Sequence, residues 1–156
     1  MHRSSRCGRS AVGGVTLLEL LTALALVAIL MAIATSAYQN YILRAKVASA
    51  KVEVATMAGL IQKSYKDGIG YPQSLADIRL DTRLDPWGRP YMYYNILANG
   101  KGHARKDHAL NPINRDFDLY SVGPDGKSKP QITQKDSVDD IIRANDGAFV
   151  GVAADF

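Results

Sequence analysis

Apolar residues crowd the early part of this chain. From Val15 to Ala37 only Glu19 is charged, and a helix of roughly 20 apolar residues is enough to cross a bilayer. Beyond Ser36 the pattern changes instead of stopping. Val47, Ala50, Val54, Met57, Ala58 and Ile61 recur at the helical period and make one stripe, while Lys46, Lys51, Glu53 and Lys63 fall mainly elsewhere. No proline occurs between Val15 and Tyr71, and Ala, Leu and Lys, all good helix formers, dominate. Asp67-Gly68 and then Gly70 give a stop signal. The pattern predicts one helix from about Thr16 to Tyr65, about 75 Å long at 1.5 Å per residue. Its first half suits lipid; its second half has one face to bury.

After the helix the periodicity shortens. Tyr71-Pro72 opens an extended stretch, because the residue before proline is pushed out of the helical region. Ser74 is placed to cap a short helical turn, Leu75 to Ile78. Pro86 and Gly88 make a turn, and Tyr91, Tyr93 and Ile96 suit a strand. Trp87 and these tyrosines are expected to pack in the core and on the sheet. NILANGKGHARKDHALNPINRD reads as a long, solvated hairpin loop, basic from Lys101 to Lys106. Phe117, Leu119, Tyr120 and Val122 supply a second strand that ends in a GPDG turn. A short helix is expected from Val138 to Arg143, and GAFVGVAADF as a last strand or extended tail. The fold class predicted is α+β: a long N-terminal helix on a small antiparallel sheet.

Composition narrows the function. The chain has 156 residues, 47% hydrophobic and 22% charged, which fits a foldable core. Three of the 19 basic residues, Arg3, Arg6 and Arg9, lie ahead of Gly14, and the remainder nearly balances the 15 acidic ones. That gives no electrostatic case for binding nucleic acid. The one cysteine, Cys7, also lies ahead of Gly14, so no disulfide or thiolate metal site is expected further on. His103 and His108 lack an acidic or thiol partner set for a metal. No phosphate loop, zinc spacing or nucleophile motif occurs, so an enzyme is not expected.

The basic start and apolar run allow three readings. A secretory signal would use Thr35-Ser36-Ala37 as its cleavage site, but its apolar core should be only about 7–15 residues. A plain signal anchor would keep the arginines cytoplasmic, yet leaves Glu19 unexplained. The third reading cuts the chain after Gly14. A new α-amine then appears on Val15, four residues before Glu19 and on the same helix face. A first-turn carboxylate also favours the helix dipole. Pairing that amine with Glu19 of a neighbouring subunit would offset the cost of an intramembrane charge, ~2.5–3.5 kcal/mol.

Gly14 followed by VTLLELL closely resembles the cleavage signal of type IV pilins and type II secretion pseudopilins. The resemblance implies a prepilin peptidase that cuts after Gly14 and methylates Val15, with Glu19 as the assembly residue. Val15 departs from the usual Phe or Met. Ser36 stands where many members have proline, so the local melting associated with that proline is not carried over. YPQSLADI, DPWG-x-PY and DLYS-x-GPDG are similar to segments of the major pseudopilin of type II secretion. The family implies calcium in the loop after the second strand, where Asp125 matches its aspartate and Asp139 or Asp140 is the nearest analogue of a later ligand. Asp136 is a further candidate, and Asp146, in NDG, reads rather as a turn former. The expected organisation is a cleaved leader (1–14), a transmembrane assembly half (15–37), an amphipathic half (38–66) and a periplasmic domain (67–156). The implied function is structural: a homo-oligomeric filament anchored in the inner membrane, working with other pseudopilins and secretion-system components to export folded proteins. A minor type IV pilin is the close alternative; a membrane-anchored periplasmic binding module is the alternative of another class.

Overall fold

The computed structural model describes residues 14–156. The leader residues ahead of Gly14, including Arg3, Arg6, Arg9 and Cys7, lie outside the described residues. The chain divides into two compact units, one up to Tyr41 and the other Ile42–Phe156.

Helix α1 runs Leu17–Lys66, within a residue of the expected span. Within the first unit every helical residue is exposed. The stretch is apolar all round, as in helices that bury their surface in lipid or in other chains. Two of its hydroxyls are satisfied internally: Thr22 donates to Glu19 O at 2.9 Å and Thr35 to Met31 O at 2.7 Å, which suits a segment with no water to turn to. The helix stops where the glycines said it would. Gly68 takes φ +81, and the reversed chain lets the Ile69 amide bond Ser64 O at 3.2 Å while Ser64 Oγ donates to Gly70 O at 3.0 Å.

In the second unit the amphipathic stripe is the core. Ala50, Val54, Met57, Ala58 and Ile61 pack with Leu75, Leu80, Tyr91, Phe117, Leu119 and Ile141. Each such aliphatic side chain contributes roughly 1.5–3 kcal/mol on burial. Trp87 and Tyr93 pack against this cluster, as expected of the aromatics. The turn Leu75–Ile78 forms as a 3-10 helix, with Asp77 Oδ2 reaching back to the amides of Gln73 and Ser74, both at 2.9 Å.

The sheet has four antiparallel strands in sequence order: β1 (Met92–Asn95), β2 (Phe117–Ser121), β3 (Ile141–Ala144) and β4 (Phe149–Val152). Tyr93 pairs with Leu119 and Tyr94 with Asp118; Ile142 pairs with Tyr120 and Gly151. Ile96, expected in the strand, instead opens the single-turn helix α2 (Ile96–Asn99), whose start is capped by Asn95 accepting from the Ala98 amide at 3.0 Å.

Two expectations are corrected. The segment expected as a helix from Val138 to Arg143 is turn followed by β3. Ile141, Ile142, Arg143 and Ala144 are all buried, because the sheet is covered on both faces. Ile141 faces the α1 cluster, and Ile142 faces a second cluster with Ile113, Ile132, Ala144 and Ala153. A strand buried on both sides loses its period of two. The loop from Asn95 to Asp116 is also not simply solvated: Ala104, Arg105, Ile113 and Asn114 are buried, and Lys106 bridges both Pro112 and Gln131.

Candidate functional site

Two regions carry the sequence-derived candidates. The first is the N-terminal turn of α1. Thr16 stands just before the helix, and its hydroxyl accepts the Glu19 amide at 3.2 Å, while the Leu20 amide bonds Thr16 O at 3.1 Å. Thr16-x-x-Glu19 is therefore also the sequence pattern of a capping box, a local role that the sequence reading missed although four residues display it. Glu19 lies in the first turn, and no salt bridge to it is recorded among the described residues. Gly14 and Val15 are exposed ahead of it, accessible to another chain.

The second region joins the two turn motifs. Asp85, buried before Pro86, accepts the amides of Trp87 (3.0 Å) and Arg89 (2.8 Å) on Oδ1. Its Oδ2 accepts the Ser121 hydroxyl at 2.6 Å. DPWG-x-PY is thereby tied to the end of DLYS-x-GPDG across 36 positions. Arg89 leaves this turn and donates from Nη1 to Gly123 O at 2.6 Å and from both Nη atoms to Pro124 O at 3.4 Å.

The proposed calcium aspartates are only partly brought together. Asp125 uses Oδ1 to close its own turn on the Lys127 amide at 2.8 Å, and its amide donates to Asp139 Oδ2 at 3.2 Å. Asp140 turns elsewhere: its Oδ2 takes Arg105 Nη2 at 2.5 Å and Ser128 Oγ at 2.7 Å. Burial pushes the Asp140 carboxyl up to about 6, with the Arg105 charge and the Ser128 and Arg105 hydrogen bonds pulling it down. It remains ionised at neutral pH and pairs with Arg105. Asp136 is half-buried, whereas Asp146 belongs to a different corner, the left-handed Asn145-Asp146 turn.

Calcium needs six to eight oxygens. Here the Gly123 and Pro124 carbonyls and one oxygen of Asp140 already receive guanidinium groups. Asp139 Oδ1 and Asp140 Oδ1 are the buried carboxylate oxygens without a hydrogen-bond partner. Among the described residues no group of three or more His, Cys, Asp or Glu is placed to share a metal; His103 instead sets its ring against Tyr94 at 6.0 Å. The donor set does not fit the ion.

Sequence reasoning also missed the buried arginine of β3. Arg143 forks onto Asp116 (Nη1–Oδ1 2.8 Å, Nη2–Oδ2 2.7 Å), donates to Phe117 O at 2.9 Å and lies 3.9 Å over the Phe117 ring. Planarity lets a guanidinium do all three. The partner is 27 positions away, so nothing local announces it.

Comparison with known proteins bears on the N-terminal region first. Residues 9–35 match the family described as the prokaryotic N-terminal methylation motif. Over 141 residues the chain is 27% identical to the type II secretion system core protein G of Pseudomonas aeruginosa, covering 76% of this chain and 88% of that one. No solved structure matches. Motif and relative point to a structural family and not to an enzyme, and the apolar helix suits an inner-membrane anchor.

Proposed function

We propose that this chain is a type IV pilin-like protein, as its N-terminal methylation motif and its pseudopilin relative support, and a structural subunit of a type II secretion pseudopilus. The observation that carries the reading is the first turn of α1: one carboxylate, Glu19, at the head of a helix whose outer surface up to Tyr41 is apolar and wholly exposed. Such a surface is completed by lipid before assembly and by other copies afterwards.

In this reading prepilin peptidase cuts after Gly14, and Val15 carries the new methylated amine. The amine of one subunit pairs with Glu19 of the next and sets their axial register. Arg3, Arg6 and Arg9 hold the leader on the cytoplasmic side, and the unit Ile42–Phe156 lies in the periplasm. Its partners there are further copies, other pseudopilins and components of the secretion apparatus.

Because Glu19 also stands in a capping-box pattern, charge pairing and capping need to be separated. Glutamine keeps the capping role and removes the charge. Glu19→Gln is expected to leave insertion into the membrane unchanged and to abolish incorporation into cross-linkable filaments in the native host, as Glu19→Ala does. Normal assembly by the Gln variant with failure of the Ala variant would mean that Glu19 acts only as a cap. The mass of the mature chain tests processing: it should start at methylated Val15. A start at Met1 in a host with active peptidase, or at Tyr38, would sink the reading.

A further inference from the structure

We propose that Arg89 and Arg105 supply the positive charge for which the calcium ion was expected: they are the internal cations that hold the Val122–Asp140 connection on the sheet, and the domain folds without the ion.

The connection is long and has no regular element, so something must fix it. Arg89 holds its start. The Asp85 turn anchors Arg89 at both backbone groups, since the Arg89 amide donates to Asp85 Oδ1 and the Asp85 amide donates to Arg89 O at 2.7 Å. From there the guanidinium reaches the Gly123 and Pro124 carbonyls. The loop is shaped around it. Gly126 sits at φ +72, a conformation that favours glycine, and a Cβ there would lie 2.5 Å from Arg89 Cζ, so the guanidinium would have to shift. Gly123, at φ +66, is equally close to the far end of the loop, with an added Cβ only 2.4 Å from Asp139 O.

Arg105 holds the middle and the end. Its side chain is 4% exposed and paired with an Asp140 side chain that is fully buried. Nη1 donates to Ser128 Oγ, Ser128 donates to Asp140, and the guanidinium lies 4.2 Å over the Tyr120 ring. The Arg105 amide is fixed in turn by Asp118 Oδ2 at 2.6 Å. Ser137 closes the remaining span, accepting the Lys129 amide and donating to Lys129 O. A guanidinium presents donors in a fixed plane to carbonyl and carboxylate oxygens. A divalent cation brought to the same oxygens would meet two positive charges already in place.

The test uses the full-length protein in detergent micelles. Melting temperature and hydrogen exchange over residues 122–140 are measured in EGTA and in millimolar calcium. The expected result is the same melting temperature and the same loop protection in both. A calcium-dependent rise in melting temperature, or slower loop exchange with calcium, overturns the proposal, since a ligand of the native state must stabilise it. In the second arm, Arg89→Ala should speed exchange in 122–140 by roughly tenfold or more while amides in α1 keep their rates. Arg89→Lys, which retains the charge and loses the fork, should fall between. Unchanged loop protection in Arg89→Ala also overturns the proposal. Arg105→Met extends the test to the buried pair. If that variant does not fold, the calcium arm and the half-buried Arg89 still decide.

Discussion

Helix α1 is one continuous helix, Leu17–Lys66, yet its two parts live in opposite circumstances. Leu17 is 79% and Ile33 67% exposed, whereas Val54, Met57 and Ile61 are at 0%. In the first unit Thr22 and Thr35 bond within their own helix. In the second, Glu53 on the helix accepts the Tyr91 hydroxyl at 2.6 Å, and Asp85, Arg89, Arg105 and Arg143 bond across the fold. Apolar density says that a surface will be covered; only periodicity says whether the chain covers it itself. The first part has no stripe: its apolar residues face every side, and nothing among the described residues of its own unit covers them.

The comparison breaks most sharply by truncation on each side of it. Phe117→Ala empties the centre of the α1 cluster and removes the ring under Arg143. It is expected to cost about 3–5 kcal/mol, read as a lower denaturation midpoint of the second unit with unchanged membrane insertion. Leu26→Ala, at an exposed position of the same helix, should leave that midpoint where it was. A large fall with Leu26→Ala would mean that the first part contributes to the fold of the second. Tyr91→Phe is a smaller probe. It keeps the packing of a buried ring and deletes the bond to Glu53, so a loss of about 1 kcal/mol is expected, measured by urea denaturation. A neutral result would remove that bond from the list of what ties helix to sheet.

The elements that were legible in the sequence are the ones whose information is local. Gly68 ended the helix, Ser74 began a turn at its own position, and FDLYS displayed alternation because β2 presents Phe117, Leu119 and Ser121 to one side and Asp118 and Tyr120 to the other. What misled were segments whose covering comes from far along the chain. Val138 to Arg143 reads as a short helix until Asp116 claims Arg143 and both faces of β3 are covered. GKGHARKD reads as a solvated loop until Asp118 and Asp140 claim Arg105. A buried cation cannot be told from a surface one without its partner. The N-terminal turn is the reverse case: Thr16-x-x-Glu19 displays its cap within four residues, and the Thr16 hydroxyl accepts the Glu19 amide.

The smallest predicted effect comes from a charge at the rim of the second unit. Asp146 takes φ +54, directly after Asn145 at φ +51, a left-handed pair that Asn and Asp tolerate better than other side chains. Its Oδ1 accepts the Arg115 amide at 2.7 Å and its Oδ2 accepts Arg115 Nε at 2.8 Å. Burial pushes this carboxyl up, but the two Arg115 bonds, with the Arg115 and Arg143 charges, hold it below the ordinary value of 3.8. A group whose pKa is lower in the folded than in the unfolded state binds its proton first in the unfolded state as pH falls. Its stabilising contribution is therefore complete above 3.8 and disappears as pH drops through the folded value. Asp146→Asn should melt slightly lower than the wild type at pH 7, and the difference should shrink as pH falls below about 4. Arg115 is mostly solvated, with its side chain 87% exposed, so the bond from its guanidinium is screened and the effect stays small. A difference that persists undiminished at low pH would place Asp146's contribution in the geometry of its two bonds to Arg115 and not in its charge, since Asn keeps the left-handed turn.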